Sequence, residues 1–554
     1  METLTGSQIA CRLIERQGVS LVFGIPGGAI LPFYDALSQS PLRHILARHE
    51  QGAGFMAQGL ARSTGQAGVA IATSGPGIAN LLTAIADAKA DSVPLVCFSG
   101  QVSQNLLGTD AFQEIDALGL ARPITKAAWM ARKPEDLLKL IPDAFRLALS
   151  GRPGPVLIDL PKDVQLAKYN VEAWPQPGRA EAAPRLNPRD VERAAALIRE
   201  SRRPILYVGG GVTLSGAGGL AQRLAEHLDA PVAQTLMGLG ALAPEHPLAL
   251  GLMGMHAKPS TNRILEQADL LIVLGARFDD RATGRLAQFC PDAKVVHADI
   301  DPRELGKLRR PDACIQGGVA DALEALLRAC PPRNRPHWRA RVAELQAEHG
   351  WPQGHQAPAA LFQACAEALP TAVITTDVGQ HQMWAAQHYP IRRERQLLTS
   401  GGLGTMGFGL PAAIGAALAD PTRPALCISG DGSLLMNVQE LATLAECGAW
   451  VKVLLMDNRS LGLVHQQQDL FYGGRRHASV YAHGPDWAQV AQGFGIPAVD
   501  LEGQADPAAS LRAALLAPGP GLIRVPISDQ AKVWPMVPPG GSNLEMLLGT
   551  EVEA

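Results

Sequence analysis

Across 554 residues no two cysteines stand in CxxC spacing, no stretch of 18 apolar residues occurs, and neither sign of charge prevails. Each absence removes a class of protein. The eight cysteines (11, 97, 290, 314, 330, 365, 427 and 447) are scattered, several inside apolar runs. That pattern predicts reduced, buried thiols and argues against a disulfide scaffold or a zinc site. Apolar runs such as Leu270 to Gly275 stop after about six residues, the length of a buried strand, so no membrane span is expected. With a net charge of −3 and no run of six like charges, the chain has no basic excess for nucleic acid. Small charged or polar metabolites fit better as partners. Residues 1–17 place Glu2, Arg12, Glu15 and Arg16 in an amphipathic helical pattern, not a basic cap followed by an apolar core, so no signal peptide is expected, while the reduced cysteines lead to the expectation of a cytoplasmic setting.

What is present is repeated α/β alternation. The length exceeds what one hydrophobic core serves, and three domains are the natural division. In the first third, short apolar runs (Leu21-Val22-Phe23, Val69 to Ala72, Leu95 to Phe98, Val156 to Asp159) alternate with helical segments, which predicts a parallel sheet wrapped by helices. An aperiodic stretch from about Trp174 to Pro188 reads as a linker. A second α/β block carries Ile205 to Val208, Pro231 to Ala233, Leu270 to Leu274 and Val295 to Ala298, and ends at Pro331-Pro332. The third begins near Ala357. Expected domains are 1–173, 189–330 and 357–554.

In the third block, Gly430-Asp431-Gly432-Ser433 follows the apolar run Leu426 to Ser429, and Asp457-Asn458 closes the run Val451 to Met456. A helix between the two runs makes a βαβ unit, whose right-handed crossover sets parallel strands side by side and points their carboxyl ends the same way. Asp431 and Asn458 would then face one crevice. A carboxylate and an amide oxygen suit Mg²⁺, a hard cation that takes its other ligands from phosphates and water. Taken singly, each half reads more readily as an ordinary turn after a buried strand.

The order GDG, about 27 residues, then Asn after an apolar strand resembles the fingerprint of thiamine diphosphate (ThDP) enzymes. The resemblance covers nearly the whole chain and extends to the acetolactate synthase large-subunit family. It implies pyrimidine-binding, central FAD-binding and pyrophosphate-binding domains, each a doubly wound parallel sheet, with the outer two sharing a fold. ThDP chemistry requires loss of a proton from C2 by way of the cofactor's own 4′-amino group, promoted by a carboxyl at the pyrimidine N1′. Glu50, in Arg48-His49-Glu50-Gln51-Gly52-Ala53, matches that position. By itself it would read as a surface residue. Gly24-Ile25-Pro26-Gly27-Gly28 matches the turn that borders the reacting carbons, although a tight βα connection would look the same.

Further assignments rest on the resemblance. Gln113 and Phe112, in Gly108-Thr109-Asp110-Ala111-Phe112-Gln113-Glu114, would line the pocket, with Lys162 at its mouth; Ser74-Gly75-Pro76-Gly77 is another matching block. Val378, Gly379, Gln380 and His381 would help hold the diphosphate, along with Gly404, Gly432, Ser433, Leu463 and Val464. Met406 would be the apolar wedge that bends ThDP, and Ser460 would lend a backbone carbonyl to the metal. In the central block Gly209, Gly210, Thr235, Leu236, Met237, Gly275, Arg277, Asp279, Arg281, Asp299 and Ile300 would contact FAD, which serves structurally. Gly317-Gly318-Val319 departs from the family pattern there. Arg281 is also assigned to the carboxylate of the second 2-oxo acid, with Met255 beside that acceptor.

Gln467, in Val464-His465-Gln466-Gln467-Gln468, stands where most biosynthetic relatives carry tryptophan and resembles the enterobacterial isozyme I type. The implied reaction joins decarboxylated pyruvate to a second pyruvate or to 2-oxobutanoate, in branched-chain amino-acid synthesis. It also implies a homodimer, in which the Glu50 domain of one subunit meets the metal domain of another, and a small regulatory subunit. The nearest alternative is a ThDP and FAD pyruvate oxidase. Glyoxylate carboligase, a flavin-free acetolactate synthase and an inactive assembly module fit the motifs less well.

Overall fold

The computed structural model describes residues 2–352 and 356–549. Three six-stranded parallel sheets form in sequence, one in each block. The first runs Arg43–Leu46, Leu21–Gly24, Gly68–Ala72, Leu95–Gln101, Pro155–Pro161, Ala127–Met130 across the sheet. Counted along the chain within its own sheet, that order is 2-1-3-4-6-5. The third sheet, Leu397–Thr399, Val373–Thr376, Ala425–Gly430, Val451–Asp457, Gly521–Pro526, Ala498–Asp500, has the same order. The two outer domains therefore share a fold, although no sequence repeat announces it. The central sheet is ordered 3-2-1-4-5-6, the dinucleotide-binding arrangement.

Every apolar run named from the sequence is a strand, and nearly all are buried on both faces, as helices covering a parallel sheet require. The amino-terminal reading needs adjustment: the helix is Gly6–Arg16, and Glu2–Thr5 before it is a strand paired antiparallel with Lys168–Val171. No helix or strand lies between Val171 and Pro188. Past Pro331-Pro332, the helix Pro336–Glu348 packs back on the central block, with Trp338 buried and its Nε1 donating to the Pro204 carbonyl at 3.1 Å. All eight cysteines are free; six are buried, Cys447 is half-buried and Cys314 is exposed, which corrects the burial expectation for Cys314. Among the described residues, no helix is long and apolar enough to cross a membrane.

The first and third domains share one core through the helices Glu50–Thr64 and Gly409–Ala419. A Cβ on Gly59 would lie 2.0 Å from the Ala412 carbonyl oxygen, and one on Gly415 would lie 1.9 Å from that of Met56. Glycine permits this backbone approach, and the helix that starts at Glu50 is seated by it.

Candidate active site

The strands Ala425–Gly430 and Val451–Asp457 are adjacent and parallel, with Gly430 opposite Met456, so the turns that follow them emerge together. Asp431, Gly432, Ser433, Asn458 and Ser460 line one cavity of about 120 Å³. Val378, Gly379, Gln380, His381, Met406, Leu463 and Val464 complete most of its wall. Burial, with the Asp457 carboxylate alongside, pushes the Asp431 carboxyl up to about 7. Arg524 holds Asp457 from behind (Nε to Oδ2, 2.7 Å). Asn458 Oδ1 accepts from the Ser460 N–H at 3.1 Å while its Nδ2 donates to Gln380 Oε1 at 3.0 Å, which fixes the amide's orientation. His381 is pushed down to about 3 by burial and stays neutral. Its Nε2 and the Ser460 Oγ are buried without a partner. Buried polar atoms are ordinarily paired, so these two mark a space shaped for a polar guest. Met406 lies between Gly404 (φ 71°) and Gly407 (φ 88°), left-handed positions that let the loop turn sharply on both sides of it.

A second cavity, of about 800 Å³, opens where the central sheet reverses its strand order. There the Gly209 N–H donates to the Leu274 carbonyl, and the Gly211 N–H to that of Gly275, both at 3.0 Å. A Cβ on Gly209 would be 2.3 Å from the Gly275 oxygen, so the two turns touch backbone to backbone. Gly209, Gly210, Thr235, Leu236, Met237, Gly275, Arg277, Asp279, Arg281, Asp299 and Ile300 all line this cavity. So do Met255, Gln467 and Gly404, and Val378 and Leu463 belong to both cavities, which therefore adjoin. Burial pushes Asp299 up to about 6. The Arg281 side chain is 67% exposed, with its Nη1 3.6 Å from Met255 Sδ and its Nε 3.8 Å from the exposed Asp280 carboxylate, a loose solvent-side pair. Gly318 and Val319 lie on the cavity wall, which places the family departure there.

Glu50 begins the helix Glu50–Thr64, and its Oε2 accepts from Asn80 Nδ2 at 3.0 Å. Around it gather Gly77, whose Cβ would be 3.6 Å from Glu50 Oε1, and Thr73, which a Cβ on Gly27 would strike at 2.6 Å. The Thr73 and Ser74 hydroxyls are buried without partners. These residues sit at the strand-order reversal of the first sheet, the counterpart of the Asp431 position in the third. Phe112 is 88% exposed beside this group, and Gln113, with φ 62°, packs against Gly75. Glu114 ties the loop down by accepting from the Gly108, Thr109 and Ala111 N–H groups. Glu50, Pro26, Gly27, Gly28, Phe112, Gln113 and Lys162 line neither cavity within one chain.

Sequence reasoning missed several contributors. Asn80 gives no local signal, because only the fold brings it to Glu50. Asp457 was read as the end of a strand, and its influence on Asp431 depends on sheet pairing. The buried cluster of Arg62, Asp87 and Asp91 also has no local signature, because Arg62 reaches the two carboxylates, one in the last turn of the helix Pro76–Ala90 and one at its cap, from a different helix.

Three domain families match the chain in order. Residues 4–120 match the "Thiamine pyrophosphate enzyme, N-terminal TPP binding domain", 191–326 the corresponding central domain, and 377–525 the C-terminal TPP binding domain. The fold and this domain set define a ThDP-dependent enzyme. The acetolactate synthase isozyme 1 large subunit of Escherichia coli (strain K12) is 53% identical over 551 residues, 98% of this chain and 97% of the relative. The isozyme 2 large subunit of the same organism is 45% identical over 549 residues, 98% and 99% of the two chains. A probable acetolactate synthase large subunit of Methanocaldococcus jannaschii is 43% identical over 569 residues, covering 99% and 96%. The chain belongs to the acetolactate synthase large-subunit family, and the pyruvate oxidase alternative is set aside.

Proposed function

We propose that the chain decarboxylates pyruvate and joins the remaining two-carbon unit to a second pyruvate, giving 2-acetolactate, or to 2-oxobutanoate, giving 2-aceto-2-hydroxybutanoate. The observation that carries this reading is the pair of adjoining cavities, one walled by Asp431, Asn458 and Met406, the other by Arg281, Met255 and Gln467. ThDP supplies the electron sink that makes such carbon–carbon chemistry accessible. In this reading Asp431, Asn458 and the Ser460 carbonyl hold Mg²⁺. Among the described residues no three acidic, histidine or cysteine side chains gather as a metal cage, and a sparse protein ligand set suits a cation completed by diphosphate oxygens and water. The unpartnered His381 Nε2 and Ser460 Oγ fit the same guest. The larger cavity has the volume, the touching glycine turns and the strand order that suit FAD as a structural dinucleotide.

Glu50 would hold a proton at the pyrimidine N1′, and Met406 would offer the cofactor an apolar contact. Arg281 would pair with the acceptor's carboxylate, and Gln467 would form the wall that distinguishes a methyl from an ethyl group. That Glu50 and its neighbours line neither cavity of their own chain supports a site completed between two copies, in which a Glu50 group of one would lie over the Asp431 cavity of the other. Phe112, 88% exposed, would be covered there. A small regulatory subunit and a cytoplasmic setting belong to the same proposal.

The test is an acetolactate assay of the purified chain with pyruvate, ThDP, Mg²⁺ and FAD. Product that disappears in Glu50→Gln is the expected result; flavin reduction without acetolactate would overturn it. Under mixed acceptors, we expect only a weak preference for 2-oxobutanoate. Gln467→Trp should strengthen that preference by the 10- to 200-fold that about 1 to 3 kcal/mol of apolar contact provides.

A further inference from the structure

We propose that Asp87 and Asp91, with Arg62, are positioning residues that hold the Met406 loop in its working shape from across the domain boundary. This deepens the ThDP reading and rests on it. Both carboxylates lie toward the end of the first-domain helix Pro76–Ala90 or at its cap, one turn apart, and both bind the same guanidinium nitrogen: Arg62 Nη2 to Asp87 Oδ2 at 2.9 Å and to Asp91 Oδ2 at 3.0 Å. All three side chains are at least 95% buried. Burial pushes the Asp87 carboxyl up while Arg62 pulls it back, and two buried carboxyls on one cation are costly unless further donors satisfy them.

The loop Ser400–Thr405 of the third domain supplies those donors. Asp87 Oδ1 accepts from the Ser400 hydroxyl and, at 3.2 Å, from that of Thr405. Asp91 accepts from the Gly401 N–H at 3.0 Å and the Gly402 N–H at 2.7 Å, one on each oxygen. Arg62 in turn donates Nη1 to the Thr399 carbonyl at 3.0 Å and lies 5.0 Å over the ring of Phe408. The segment 399–408 is therefore gripped at six residues spread along its length, with Met406 between the last two. Five of its residues, Ser400 to Gly404, line the larger cavity together with Arg62 and Asp91, and Met406 lines the smaller. Satisfying the buried charges permits one loop geometry, and that geometry aims Met406.

ThDP titration of the intact protein, with Mg²⁺ saturating, tests this on Thr405→Val, Ser400→Ala and Asp91→Ala, alongside kcat, KM for ThDP and the near-ultraviolet circular dichroism of the bound cofactor. The expected result is a tenfold or greater rise in the ThDP dissociation constant for Asp91→Ala. The loop-side variants should show smaller rises, and the dichroism band should weaken in variants whose cofactor-free melting is close to wild type. A merely structural role would lower melting and leave the dissociation constant, the KM-to-kcat split and the dichroism unchanged, which would overturn the proposal. Should Asp91→Ala not fold, Thr405→Val decides, because it removes one peripheral hydroxyl only. Failure of the wild type itself to bind ThDP would instead refute the functional reading.

Discussion

Asp159 illustrates how one residue's environment sets its chemistry. It lies at 0% exposure on the strand Pro155–Pro161, accepts from Ser99 Oγ at 2.6 Å and from Gln101 Nε2 at 3.1 Å, and is pushed by burial up to about 7. A carboxyl whose folded value lies above its unfolded one binds its proton more tightly when folded. Its contribution therefore turns against the fold as pH rises from near 4 to about 7, and levels off above that. Asp159→Asn removes the dependence, so the melting temperature of the variant relative to wild type should climb between pH 4 and pH 7 and then stay flat. A constant difference across that range would show that Asp159 does not titrate there. At this scale the sequence exposed the residues that carry recognisable motifs, Asp431, Asn458 and Glu50 among them. Their partners Asn80 and Arg524 come from distant elements, and local spacing holds no trace of those meetings, whereas Asp457 stands beside Asn458 in the motif itself.

Among elements, the pair of helices Glu50–Thr64 and Gly409–Ala419 is the most consequential. Their reciprocal contacts at Gly59 and Gly415 leave no room for a methyl group against a backbone carbonyl. Gly59→Ala or Gly415→Ala should force the helices apart and lower stability by about 1 to 3 kcal/mol, read as a drop of several degrees in thermal melting. Because one of these helices begins at Glu50, activity per folded molecule should fall as well. Unchanged melting in both variants would mean that the helices do not pack this closely. Periodicity and apolar runs located the strands because burial on both faces writes an unbroken apolar signature. Edge strands such as Arg43–Leu46 and Ala313–Gln316, half-exposed and short, carry no such signature and were not anticipated.

For the whole molecule, the distribution of site residues over domains has a measurable consequence. If Glu50 of one copy serves Asp431 of another, mixing Glu50→Gln with Asp431→Asn and allowing subunits to exchange creates hybrids with one site that has both residues intact. Half of the dimers are then hybrids with one working site of two, and activity should return to about a quarter of wild type. No recovery, with exchange verified by an affinity tag carried on one variant only, would place both residues in a single chain's site.

The sequence by itself determined the α/β class, the succession of three blocks and the motif-bearing turns, because strand burial and glycine-rich turns impose local constraints that a one-dimensional pattern preserves. Only the tertiary structure decided the identical strand order of the outer sheets, the meeting of two cavities at Val378 and Leu463, and the grip of Asp87 and Asp91 on the Met406 loop. Those features depend on crossovers and domain packing, which bring together residues more than 300 positions apart, such as Asp87 and Ser400.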